Sequence, residues 1–142
     1  MAEPFRHRFR VRYAECDAQS VVFNAHYFAY FDLALTELFR AAFGSYQSML
    51  ERDVDLVVGE AGARFFAPAR FDDELEVFVR VLRIGTTSMV WQFEAVNVAT
   101  SEHLATAQQT LVQVDLASRR PVPVSGRLRS AIRGFDQEVE TA

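Results

Sequence analysis

Two scarcities bound this chain before any pattern is read. Fifteen of its residues are Lys or Arg, and every one of them is arginine. Without lysine there is no Schiff-base amine, no attachment point for pyridoxal phosphate and no phosphate-loop lysine. The single cysteine, Cys16, excludes an intramolecular disulfide and a cysteine-built zinc site, and it suits a reducing compartment. His7, His26 and His103 are the only histidines, and none has the H-E-x-x-H spacing of a catalytic metal site. No G-x-S-x-G elbow, G-x-G-x-x-G or G-x-x-x-x-G-K occurs, so a serine triad, a dinucleotide fingerprint and a phosphate loop are all missing. We expect no metal and no cofactor.

Basic excess is missing too. A net charge of -4 argues against broad nucleic-acid binding, which needs many cations to neutralise phosphates. The start, Met1-Ala2-Glu3-Pro4-Phe5, offers no apolar signal core, and no window reaches the roughly 18 apolar residues of a membrane span. The expectation is a cytoplasmic protein.

What is abundant is apolar. Half of the 142 residues are hydrophobic and thirteen are Phe, a composition that folds. That length is about one domain. The expected division is a single domain over 1–142, with a core over about 5–115 and a tail over 116–142.

Phe5, His7, Phe9, Val11 and Tyr13 alternate with Arg6, Arg8, Arg10 and Arg12, the period of a strand with one buried and one solvated face. The arginines read as a charged outer face, with an anionic ligand site as the other reading. Tyr27, Tyr30, Phe31, Ala34, Leu35, Leu38, Phe39 and Ala42 then recur at the spacing of one helix face, and Gly44 supplies a stop. A shorter helix is expected over 45–52. Strands follow over 54–67, 74–84, 87–98 and 103–114, the first of them bent near Gly59 and Gly62, and a short helix over 125–133. Strand, helix and then a run of about four strands is an α+β antiparallel arrangement. Its edges stay unpaired unless a second copy continues the sheet.

With other catalytic devices missing, chemistry falls to carboxylates and backbone dipoles. Asp17 follows a strand, precedes the apolar Val21-Val22-Phe23 and faces the head of the long helix, where free N–H groups and a partial positive charge favour developing negative charge. An apolar surround would strip it of water and sharpen it as a base or nucleophile. The same spacing fits an Asp that caps a turn. Asn24 is a good N-cap, its side chain placed to accept from His26 or Tyr27, and its own N–H is free to meet an oxyanion.

The run Arg12-Tyr13-Ala14-Glu15-Cys16-Asp17-Ala18-Gln19-Ser20-Val21-Val22-Phe23-Asn24-Ala25-His26-Tyr27, with Asp32 after it, resembles the active-site segment of the 4-hydroxybenzoyl-CoA thioesterase family of hot-dog-fold acyl-CoA thioesterases. The later run from Phe65 to Leu75 is similar to that family's strand-turn-strand. The resemblance implies a curved antiparallel sheet wrapped around one long helix, and homodimers or homotetramers with sites at subunit interfaces. It also implies hydrolysis of an acyl-CoA to a carboxylic acid and free coenzyme A, with coenzyme A entering only as part of the substrate. Asp17 matches the family's catalytic carboxylate, and the Asn24 amide matches the group that polarises the thioester carbonyl. Direct attack by Asp17 and activation of a water both stay open.

The resemblance also suggests that Arg83 and the turn Gly85-Thr86-Thr87-Ser88 meet the phosphates of coenzyme A, although an ordinary hairpin turn would read the same. Tyr27 and Asp32 would line or brace the acyl pocket. Three departures mark this chain. Ser20 stands where the family usually has Gly, Asn24 replaces a commoner Tyr or His, and Asp32 and Leu35 occupy positions where many members have Glu and Arg. Two other functions fit the same segment: a module that binds an acyl-CoA or acyl carrier without cleaving it, and a hydratase or dehydratase built on this fold.

Overall fold

The computed structural model describes residues 4–45, 47, 54–133 and 140–141. Alternating apolar residues and arginines open it as β1, Phe5–Arg10. This strand is shorter than its pattern. Past Arg10 the ladder ends, because Val11 exchanges hydrogen bonds with Asp73 and Asp72 and the chain turns into a 3-10 helix at Tyr13–Glu15. Tyr13 is consequently 80% exposed and not inward-facing. The arginines are partnered within the chain: Arg6 and Arg8 with Glu76, Arg10 with the Asp72 carbonyl, and Arg12 with Glu15. They form a solvated face.

The aromatic stripe forms α1, His26–Phe43, 18 residues and about 27 Å long. It buries Tyr27, Tyr30, Phe31, Ala34, Leu35, Leu38 and Phe39. Gly44 ends it with φ +86°, a conformation that costs glycine least, and its N–H bonds the Arg40 carbonyl. The helix expected over 45–52 falls mostly outside the described residues.

Four long strands follow: β2, Val54–Phe65; β3, Glu74–Ile84; β4, Ser88–Asn97; and β5, His103–Asp115. All pair antiparallel in the order β1-β3-β4-β5-β2. The run of four strands is therefore not a simple meander. β3, β4 and β5 meander, whereas β2 pairs with β5. Residues 66–73 carry the chain from one edge of the meander to the other, three strand spacings or roughly 14 Å. β2 bends once, at a register shift between Val58 and Glu60, while Gly62 stays in register opposite Gln108. A second shift, between Val81 and Arg83, changes the parity of β3, so the inward set Leu75, Val77, Val79 and Val81 continues at Ile84.

The core sits where α1 crosses the sheet. β4 alternates perfectly, and its inward Trp91 and Phe93 meet Phe39 edge-on at 5.8 Å and Phe31 in a stack at 5.2 Å. The tail returns across Val114 at Pro121 and forms α2, Gly126–Arg133, capped by the Ser125 hydroxyl. A two-residue strand, β6, Glu140–Thr141, lies parallel to the end of β3. Among the described residues no helix is long and apolar enough to cross a membrane.

Candidate active site

Asp17 occupies the first position of a tight turn between two bridged residues, Cys16 and Val22. Its N–H donates to the Val21 carbonyl at 2.9 Å, and its carbonyl accepts from Ser20 at 2.9 Å. Oδ1 accepts the Gln19 N–H at 2.8 Å, an Asx turn. Asp17 therefore does cap a turn, but with one oxygen only. Oδ2 has no partner among the described residues and remains available for chemistry.

The turn closes through Ser20, whose φ of 65° puts a non-glycine residue in the left-handed region. A side chain there costs about 1–2 kcal/mol. Glycine would lose about 0.5–1 kcal/mol through its freer unfolded state, so relief of strain wins. Ser20→Gly is expected to stabilise the fold by about 0.5–1 kcal/mol, read as a rise in the urea midpoint with an unchanged slope. A fall in the midpoint would show that the serine is preferred there.

The helix head departs from expectation. The N-cap is Ala25, already in αR geometry, with no side-chain cap. The N–H groups of His26 and Tyr27 donate to the carbonyls of Phe23 and Asn24 at 2.9 and 3.2 Å, leaving nothing for an Asn24 side-chain oxygen to accept. The backbone N–H of Asn24, by contrast, has no acceptor among the described residues. It lies at the positive end of α1, where a developing oxyanion is favoured.

Asn24 lines a cleft of about 290 Å³ with Val22, Tyr27, Phe65, Ala67 and Pro68. Val22 belongs to the Asp17 turn, so carboxylate and cleft share a rigid support, and Val22 N–H is tied to Ala69 at 2.8 Å. Tyr27 forms the inner wall. Burial, opposed by a hydrogen bond from the Ala69 backbone, pushes its hydroxyl up to about 12, so it meets a ligand as a neutral phenol. Its ring stands edge-on to Phe65 at 5.3 Å.

Other expected residues lie elsewhere. Asp32 is exposed, five residues beyond Tyr27 and so about 140° round the helix from the cleft. Arg83, Gly85, Thr86, Thr87 and Ser88 sit at the far end of β3, roughly 35 Å along that strand from the Asp17 end. The turn there is already engaged: Gly85 N–H bonds the Ser88 carbonyl at 2.7 Å, Val124 N–H bonds Thr86, and the Arg129 guanidinium holds the carbonyls of Gly85 and Thr86. Within one chain it is a hairpin turn clamped by α2, separate from the cleft.

Sequence reasoning missed Glu15. It is 7% exposed, and among the described residues its carboxylate accepts four hydrogen bonds. Oε1 accepts the Arg12 N–H at 2.7 Å and the Tyr30 hydroxyl at 2.9 Å; Oε2 accepts two guanidinium N–H groups of Arg12 at 3.1 and 3.0 Å. Burial works against its charge, but these donors outweigh it and hold the carboxyl below its usual range. Burial and the adjacent carboxylate push the Tyr30 hydroxyl far above the ordinary phenol range. Strand parity does not reach it, because the odd register already fails at Tyr13; the available signal was spacing, with Glu15 three residues after Arg12, where a Glu side chain can reach back to the N-cap N–H.

Comparison with known proteins fits this geometry. A family model described as the thioesterase-like superfamily matches residues 11–132. An acyl-CoA thioester hydrolase, YbgC, from Escherichia coli is 35% identical over 117 residues, covering 82% of this chain and 87% of that protein. A 1,4-dihydroxy-2-naphthoyl-CoA thioesterase from Synechocystis superposes with a TM-score of 0.85 at 24% identity, covering 93% of this chain and 97% of the other. A hypothetical protein from Staphylococcus aureus, solved in complex with CoA, superposes with a TM-score of 0.87 at 12% identity, covering all of this chain and 89% of its own. The family match over residues 11–132, which takes in the Asp17 turn and the helix head, and the 35% identical relative show that this chain belongs to the thioesterase-like superfamily.

Proposed function

We infer that this chain is an acyl-CoA thioesterase, hydrolysing the thioester to a carboxylic acid and free coenzyme A, with Asp17 and Asn24 as its catalytic pair. The observation that carries the assignment of the pair is local. Among the described residues, one short turn leaves a carboxylate oxygen uncommitted and leads directly into a helix head with an uncommitted amide N–H.

The Asn24 N–H would donate to the thioester oxygen as it gains negative charge. Asp17 then acts by one of two routes. As a base it takes a proton from water while that water attacks the carbonyl carbon. As a nucleophile it forms an acyl-carboxylate anhydride and expels the CoA thiolate, and water opens the anhydride in a second step. Both routes end in acid and thiol, and neither needs a metal or a redox cofactor. His26 has no carboxylate partner among the described residues, which speaks against the hydratase reading.

The test is steady-state turnover on a panel of acyl-CoAs alongside enoyl-CoAs. Thiol release is expected. Thermal stabilisation by acyl-CoA without release would instead identify a binding module, and hydration of enoyl-CoA with inert thioesters would identify a hydratase.

We assign the active unit to a homodimer at least. Among the described residues β2 ends the sheet with one side unpaired; it exposes Val57 and Val58 and leads through Phe65 into the cleft. An open edge strand of twelve residues, seven of them apolar, invites a second copy. Wild type is expected to sediment at twice the 16.1 kDa chain mass or a higher multiple, and Val57→Glu with Val58→Glu to shift it toward monomer. A monomeric wild type would end this assignment. The cytoplasm, whose reducing conditions suit Cys16 and a thiol product, is the compartment we assign.

A further inference from the structure

A buried carboxylate is an expensive way to hold a loop. Taking a charge out of water costs several kcal/mol unless it is fully partnered, and a well-packed apolar residue would often stabilise as much. Glu15 carries that cost, and its partners indicate what is gained. Its carboxylate joins Arg12, two residues past β1, to Tyr30 in α1. Tyr30 in turn packs against Phe9 at 4.6 Å and against Tyr27, the inner wall of the cleft, at 5.7 Å. The main chain of the same residue works in the other direction. The Glu15 carbonyl accepts the N–H of Phe23 at 3.0 Å, and Phe23 immediately precedes Asn24. Two residues past Glu15 stands Asp17. One residue is thus bonded to α1 and to the residue that opens the 3-10 helix, and its backbone is hydrogen-bonded to the residue before Asn24 and lies two residues before Asp17.

We propose that Glu15, through Tyr30, is the positioning residue of the thioesterase reaction, fixing Asp17 and the Asn24 amide relative to one another and to the helix. The inference rests on the reading of Asp17 and Asn24 given above. Glu15 touches no substrate. Its effect is geometric, and misplacement of reacting groups by about 1 Å is enough to cost about a hundredfold in rate.

The test compares Glu15→Gln and Tyr30→Phe with wild type and with Asp17→Asn, measuring kcat and KM on the best acyl-CoA of the panel and thermal melting on each chain. Tyr30→Phe keeps the ring packing and deletes one hydrogen bond. It is expected to stay folded and to lose about tenfold in kcat with KM within about twofold; Glu15→Gln, which also sets an amide N–H against the Arg12 donors, should lose about a hundredfold. If Glu15→Gln does not fold, Tyr30→Phe decides alone. A folded Tyr30→Phe with kcat within about threefold of wild type overturns the proposal, as does a loss confined to KM, because a residue that only shapes the surface would act on binding. Asp17→Asn separates the two claims. If it keeps wild-type turnover, the catalytic reading of Asp17 fails; if it is inactive while Tyr30→Phe is normal, only the positioning role of Glu15 fails.

Discussion

Asp17→Asn is expected to lower kcat for acyl-CoA hydrolysis about a thousandfold, roughly 4 kcal/mol of transition-state stabilisation, while leaving the melting temperature almost unchanged. The two halves of that expectation follow from the two oxygens. Oδ1 accepts the Gln19 N–H that closes the turn, and an asparagine oxygen can accept it equally well. Oδ2 has no structural duty among the described residues, so replacing it by an amide nitrogen removes charge and basicity without removing support. A variant within about threefold of wild type, worth only some 0.6 kcal/mol, would show that Asp17 is not the catalytic group. A single turnover in ¹⁸O-labelled water then separates the routes. Label appearing in the Asp17 carboxylate identifies attack by the side chain with water opening the anhydride at the Asp17 carbon; label in the product acid alone is common to a base and to an anhydride opened at the acyl carbon.

Phe31→Ala is expected to destabilise the fold by about 4 kcal/mol, which for a chain of this length lowers the melting temperature by roughly 10–20 °C. Phe31 is fully buried at the crossing of α1 and β4, stacked on Phe93 and in ring contact with Tyr27 and Phe28. Truncation removes the contacts of a whole ring, and the surrounding aromatics are too rigid to collapse into the space. Because total stabilities run to about 5–15 kcal/mol, the variant would sit near its folding threshold. A loss under about 1.5 kcal/mol would mean that α1 is not seated on β4 as described.

The parts of this fold that follow a local period were legible in the sequence. The α1 stripe and the alternation of β4 are set by residues a few positions apart, and each repeats often enough to be read. The place of β2 was not, because pairing with β5 rather than β3 is decided by partners about fifty residues away, and its small residues, Gly59, Ala61 and Gly62, give no register. At the site, the short turn that carries Asp17 and leads into the helix head is set by neighbouring residues, and its place was readable. The Asn24 side-chain cap was not, since it was lost to main-chain bonds that only the path through Ala25 sets up. The residue types of the turn at Arg83–Ser88 were readable but its clamping was not, because Arg129, more than forty residues later, holds the carbonyls of Gly85 and Thr86.

The pairing of β1 has a consequence during synthesis. Phe5 pairs with Val79 and Arg10 with Glu74, residues 74 and 64 positions downstream. At ribosomal rates of about 5–20 residues per second, β1 waits roughly three to fifteen seconds for β3 to be made. Throughout that interval Phe5 and Phe9 have no sheet to cover them. The arginines at 6, 8, 10 and 12 spread like charge along the waiting segment, so nascent chains on neighbouring ribosomes repel where they would otherwise stack. What serves the mature protein as a solvated face serves the unfinished one as a gatekeeper.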